Sequence, residues 1–139
     1  MNKLLVVGAG SIGRRHIDNF SNFFKIIDIV DINPERIIQA KKEYNINNSY
    51  DNYITALNEN KYDVVAITTP PHLHLEIAKN SANKGCNLFI EKPLGMDASG
   101  WKEVDDICKN NNLISYVAYC HRHINFTERF KKIIDDAKQ

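Results

Sequence analysis

Several things are scarce in these 139 residues, and each scarcity removes a class of protein. Three cysteines, Cys86, Cys108 and Cys120, form no C-x-x-C pair and are odd in number. That excludes a disulfide scaffold and leads one to expect reduced thiols in a cytoplasmic protein. Six glycines and 4 prolines are too few for a collagen-like chain. No apolar run approaches the roughly 18 residues that a membrane span needs. The opening stretch from Met1 to Gly8 is too short in its apolar part for a signal peptide, and it lacks a small-residue cleavage site. Charge of one sign is missing too: 18 Lys and Arg against 17 Asp and Glu leave a formal net charge of +1. The basic residues are scattered, so the electrostatic footprint of a nucleic-acid binder is absent.

What is present is the composition of a folded domain. The chain is 43% hydrophobic and 25% charged, which disordered chains are not. Its length fits one domain, since domains run to roughly 100–200 residues.

Along the chain, short apolar runs alternate with helical patterns. Strands are expected at 3–7, 26–30, 48–50, 64–67, 88–90 and 114–119. The strongest of these are nearly continuous in apolar residues, as strands covered on both faces should be. Helices are expected at 10–19, 34–44, 53–58, 73–84, 99–109 and 127–137. Asn33 is a good N-cap ahead of Pro34, and Gly85 is a helix stop. The last helix carries Phe130, Ile133, Ile134 and Ala137 at helical spacing. The order implies an α/β fold of the Rossmann type: a doubly wound, mostly parallel sheet with helices on both faces and right-handed crossovers.

Gly8-Ala9-Gly10-Ser11-Ile12-Gly13 matches G-x-G-x-x-G, directly after the first strand and opening a helix. Each glycine has a reason: Gly8 for the tight turn, Gly10 for close approach of a diphosphate, Gly13 for helix–strand packing. The free N–H groups and dipole at the helix start favour phosphate. Arg14 and Arg15 follow and read as solvated surface arginines. Asp31 lies 18 positions past Gly13, at the end of the second strand. That is the place of a carboxylate that holds the adenosine ribose hydroxyls; the competing reading is an aspartate that caps a turn. As a ribose ligand it favours NAD, whereas Arg36 nearby leaves NADP possible.

Thr68-Thr69-Pro70-Pro71-His72-Leu73-His74 follows the 64–67 strand, on the ligand side of such a sheet. Thr68 and Thr69 offer hydroxyls, and His74 either reaches the cofactor or is an ordinary helix-start histidine. Glu91-Lys92-Pro93 ends the next strand on the same rim. Lys92 can donate to a substrate hydroxyl or move a proton; read locally, it equally fits a surface lysine in a turn fixed by Pro93.

Taken together, Gly8 to His16, Val30-Asp31, Thr69 to His74 and Glu91-Lys92-Pro93-Leu94-Gly95 resemble one family over nearly the whole chain. It is the N-terminal domain of the glucose–fructose oxidoreductase / inositol dehydrogenase / rhizopine catabolism (Gfo/Idh/MocA) family. The resemblance implies an NAD(P)-dependent oxidoreductase acting on a hydroxyl or keto group of a sugar, sugar derivative or cyclitol. It implies that Gly8, Gly10, Ser11, Ile12 and Gly13 hold the diphosphate and Asp31 the ribose. Thr68, Thr69, Pro70 and His74 would line the middle of the cofactor, Glu91 its nicotinamide end, and Lys92 would be catalytic. Arg122, in Tyr119 to Asn125, matches a central Arg of the family, with Asn125 where a Pro is usual. Family members continue into a second α+β domain that supplies an Asp or His, most substrate contacts and the oligomer interface. The expectation is therefore a cofactor-binding fragment of a homo-oligomeric enzyme, competent to bind but not to turn over.

Three other readings remain. A dinucleotide-sensing module would share the glycine loop, but has no need of a proton-handling Lys92. A methyltransferase also has such a loop, but not the Asp31 spacing or the Glu-Lys-Pro turn. The spacings His72-x-His74 and His121-x-His123, with Cys120, could hold a metal on a strand, although nicotinamide chemistry requires none.

Overall fold

An apolar run without polar alternation is satisfied only when both of its faces are covered, and the central strands are of this kind. In the computed structural model, which describes residues 3–97, 99–119 and 125–137, they form the middle of a six-stranded sheet. In chain order the elements are β1 (Lys3–Val7), α1 (Ser11–Phe20), β2 (Ile26–Val30), α2 (Pro34–Glu43), β3 (Ser49–Tyr50), α3 (Tyr53–Glu59) and β4 (Val64–Ile67). A 3-10 turn (Pro71–Leu73), α4 (His74–Asn83), β5 (Asn87–Ile90), α5 (Trp101–Asn110), β6 (Ser115–Val117) and α6 (Asn125–Asp136) complete it. The strand order is β3-β2-β1-β4-β5-β6, and every pairing is parallel. The doubly wound Rossmann arrangement is thus as expected, with a sheet that is wholly rather than mostly parallel.

Side chains alternate between the two faces along each strand. Leu4, Val6, Ile27 and Ile29 face Ile17 of α1 and Ala40 of α2. Leu5, Val7, Val65, Ile67, Leu88 and Ile90 face α3, α4 and α5 through Leu57, Ile77, Ala78 and Val104. Full burial of one such aliphatic side chain contributes about 1.5–3 kcal/mol, so these two layers supply the main driving force.

One buried residue breaks the apolar pattern. Asp28 in β2 is fully buried, and its carboxylate accepts from Asn48 N–H (2.9 Å) and the Tyr62 hydroxyl (2.9 Å), with Lys3 Nζ at 3.0 Å. Burial first, then the bond to Asp28, pushes the Tyr62 phenol up from its ordinary value near 10. The cluster ties β1, β2 and the segment before β4 at the end of the sheet away from the glycine loop.

Differences from expectation are local. The helix expected at 73–84 is preceded by the 3-10 turn, because Pro70 and Pro71 set the backbone before His74. The strand expected at 114–119 is three residues long, and it lies at the sheet edge. On α6, Ile133, Ile134 and Phe130 are 40% to 64% exposed. Cys86 and Cys108 are buried free thiols, and burial pushes both up. Cys120, His121, Arg122 and His123 lie outside the described residues. No helix among the described residues is long and apolar enough to cross a membrane.

Candidate functional site

The chain leaves β1 toward β2 on one side and reaches β4 on the other, so the order of strands reverses between β1 and β4. At such a point the loops beyond the carboxyl ends diverge and leave a crevice. Here the loop after β1 is the glycine motif, and the loop after β4 is Thr68 to Pro71.

Each motif glycine sits where its backbone needs it. Gly8 has φ +102°, a conformation that side-chain-bearing residues rarely adopt, and its N–H donates to Val30 O (2.8 Å). A Cβ at Gly13 would run into the carbonyl oxygen of Gly8, so only glycine lets α1 lie this close to β1. Gly10 differs: a Cβ there would meet nothing within 4 Å. It is the N-cap of α1, without a side-chain cap, and the first turn carries no acidic residue. The N–H groups after Gly10, those of exposed Ser11 and Ile12 among them, are first-turn donors that a helix leaves without an intrahelical partner.

Asp31 closes this loop from the side. It is 5% exposed; Oδ2 accepts from Ala9 N–H (2.8 Å) and Oδ1 from Asn33 N–H (2.8 Å). It thus does the work of a turn aspartate as well. A carboxylate offers about four lone-pair sites, so two remain for ligand hydroxyls. Arg36 Nη1 lies 3.6 Å from Oδ2 and is about half exposed.

Two clefts meet at Thr68 and Thr69. One, of about 550 Å3, is lined by Gly8, Gly10, Asp31, Arg36, Pro70 and Glu76 among others. The other, of about 570 Å3, is lined by Ile12, His16, Phe89, Glu91, Lys92 and Tyr116 among others. Thr68 and Thr69 line both. The Thr68 hydroxyl is turned to the backbone, 2.6 Å from Gly8 O and 3.0 Å from Val7 O. The Thr69 hydroxyl is buried with no partner among the described residues. A buried, unsatisfied hydroxyl is costly, and the Ser81 hydroxyl in α4 is in the same state.

The first cleft is acidic. Asp31, Asp51 and Glu76 face a single guanidinium, Arg36. Tyr53 donates to Glu76 Oε1 (2.6 Å) and accepts from Asn80 Nδ2 (2.8 Å). Burial, then the Glu76 bond, pushes its phenol up to about 12.

In the second cleft Lys92 is exposed, at a cis Lys92–Pro93 bond. Glu91 Oε2 accepts from Lys92 N–H (2.9 Å), and Glu91 Oε1 lies 2.7 Å from His16 Nε2. His16 is one residue whose role here was missed. Its signal was present, since it is four positions after Ile12 and so shares a helix face with it.

His74 was expected to reach the cofactor, but it lines neither cleft. It is fully buried, with Nδ1 3.0 Å from Pro93 O and Nε2 2.8 Å from Thr69 O. Both ring nitrogens face protein carbonyl oxygens, and a neutral ring donates to one of the two. His72 is exposed, so the two histidines do not converge, and no group of three metal-ligating side chains occurs among the described residues. Arg14 is not merely solvated: it pairs with Glu43 (3.2 Å) and donates to Ala9 O (3.3 Å). Arg15 borders the second cleft.

The geometry is that of a Rossmann domain: a glycine loop opening α1, a buried carboxylate after β2, and two clefts that share Thr68 and Thr69. Comparison with known proteins agrees. Residues 2–119 match the profile of the Gfo/Idh/MocA oxidoreductase family, NAD-binding Rossmann fold, and the chain belongs to that family. It is 32% identical over 108 residues to levoglucosan dehydrogenase of Pseudarthrobacter phenanthrenivorans, covering 78% of this chain and 28% of that protein. It superimposes on myo-inositol 2-dehydrogenase of Lactobacillus plantarum with a TM-score of 0.86 and 26% identity, covering 99% of this chain and 42% of the other. The fold also matches scyllo-inositol dehydrogenase of Lactobacillus casei, solved with NAD(H) and scyllo-inositol, with a TM-score of 0.84 and 22% identity over 99% and 42% of the two chains. The chain thus spans well under half the length of these relatives.

Proposed function

We propose that this chain forms the cofactor half of an NAD-dependent oxidoreductase whose substrate is a sugar, a sugar derivative or a cyclitol. The observation that supports the reading is the pair of clefts that share Thr68 and Thr69 beside the glycine loop. The adenosine half occupies the acidic cleft, with its ribose hydroxyls on Asp31. The diphosphate crosses at Gly10, Ser11, Ile12 and Gly13, at the first-turn main-chain N–H groups of α1. The nicotinamide half enters the second cleft, beside Glu91 and Lys92. Thr68 and Pro70 shape the crossing. Bound there, the dinucleotide supplies the hydride donor or acceptor.

Lys92 is placed to donate a hydrogen bond to the reacting substrate oxygen and to carry the proton that accompanies oxidation or reduction. Its exposure in a cleft favours an enzyme over a sensing module. The protein assembles as a homo-oligomer, as part of the same reading. The parent acts in the cytoplasm.

The test is a panel of cyclitols and sugars offered with NAD to the full-length protein, followed by NADH absorbance. Turnover is expected with at least one polyol. Lys92→Ala is expected to lower kcat by about 100-fold or more while leaving the Kd for NADH nearly unchanged. An unchanged kcat in that variant would contradict the role of Lys92.

A further inference from the structure

Lys92 sits in a turn that is held from both faces of the sheet. From the α1 face, His16 brings Nε2 to 2.7 Å from Glu91 Oε1. Two acceptors cannot meet at that distance, so Nε2 carries the proton and donates. The other carboxylate oxygen, Oε2, accepts from the main-chain N–H of Lys92 (2.9 Å). Glu91 is therefore fixed at both oxygens, and the side chains of His16 and Glu91 are only 15% and 17% exposed. The ring of His16 is itself braced, edge-on to Phe89 (4.8 Å between centroids) and stacked on Phe20 (5.7 Å). From the α4 face, His74 lies against the next residue of the turn, with Nδ1 3.0 Å from Pro93 O and Nε2 2.8 Å from Thr69 O, and its one N–H in the neutral ring links α4 either to the turn or to Thr69.

The two histidines belong to the two helices that open at the crevice. α1 begins at the phosphate cradle, and its distance from β1 is set by the bare backbone of Gly13. α4 begins with His74 itself. The elements that receive the diphosphate and frame Thr69 are thus the elements that aim the lysine.

We propose that His16 and His74 are positioning residues that bracket the Glu91-Lys92-Pro93 turn, and that through Glu91 the phosphate-binding helix fixes the direction in which Lys92 enters the nicotinamide-side cleft. Neither histidine acts on the substrate. The inference rests on the dinucleotide reading for its consequence, but its geometric core concerns the turn alone.

The test uses this chain and two readouts. The first is ligand-free: the amide resonance of Lys92 and its hydrogen exchange, in wild type, His16→Phe, His16→Gln and Glu91→Gln. His16→Phe keeps the aromatic packing on Phe20 and Phe89 but removes the donor. The Lys92 amide is expected to shift and to exchange faster in His16→Phe, and to return toward the wild-type position in His16→Gln, whose amide can donate. The second readout is calorimetric titration with NADH and with ADP-ribose, which lacks the nicotinamide. His16→Phe is expected to weaken NADH about tenfold, the scale of a lost hydrogen bond to a charged group, and to leave ADP-ribose binding as in wild type. His74→Gln, if folded by circular dichroism, is expected to disturb the same Lys92 amide. An unmoved Lys92 amide in His16→Phe overturns the proposal, as does equal weakening of both ligands. A wild-type chain that binds neither ligand would refute the dinucleotide reading, and the amide readout would still decide the bracket.

Discussion

Single residues in the glycine loop have separable duties. Gly13 is needed for packing, because a Cβ would strike Gly8 O, whereas Gly10 is needed for nothing within the protein, because a Cβ there meets open space. Gly13→Ala is therefore expected to lower the unfolding free energy in urea by at least about 2 kcal/mol. Gly10→Ala, at an ordinary φ of −66°, is expected to change it by less than about 1 kcal/mol while weakening NADH. Equal stability losses in the two variants would remove the distinction. The packing role of Gly13 was legible in the sequence because it is local: the glycine spacing and its place between strand and helix carry it. The roles of Asp28, His16 and His74 were not. Their partners Tyr62, Glu91 and Pro93 lie 34, 75 and 19 positions away, and no spacing rule reaches that far. For His74 the sequence allowed two readings, and burial between two carbonyls decides where the ring lies.

Among elements, the legible part was the alternation itself. Continuous apolar runs required cover on both faces, and the order of strands and helices then left little but a doubly wound sheet. Element ends were less legible, as at Pro71 and Ser115, since two prolines and an edge position shorten what periodicity extends. The Asp28 cluster also belongs here, because it joins β2 to the segment before β4. Tyr62 and Tyr53 both have phenols raised above their ordinary value of 10.0 in the folded chain. Raised acids bind their protons more tightly folded than unfolded, so the contribution is present below pH 10 and is lost as pH rises above it. Urea unfolding is expected to become easier from about pH 10 toward pH 12. The double variant Tyr53→Phe/Tyr62→Phe should show a flatter slope; an identical slope would place the effect elsewhere.

For the whole molecule, topology places every motif on one rim. The reversal between β1 and β4 brings together residues from 8 to 92 that no local pattern connects. That the motifs share a rim followed from the doubly wound sheet expected of the sequence. The division of the rim into two clefts at Thr69, and the acidic lining of one of them, depend on side-chain placement and became visible only in the structure. The acidic lining carries a specificity prediction: a 2′-phosphate about 4 Å from the Asp31 carboxylate would be opposed by up to ~4 kcal/mol at an effective dielectric near 20. The most direct measurement is a calorimetric titration of this chain, wild type and Asp31→Asn, with NADH and NADPH. The wild type should bind NADH and discriminate against NADPH by at least about tenfold, and Asp31→Asn should narrow that gap. A folded chain that ignores NADH, or that prefers NADPH equally with and without the Asp31 charge, would contradict the account.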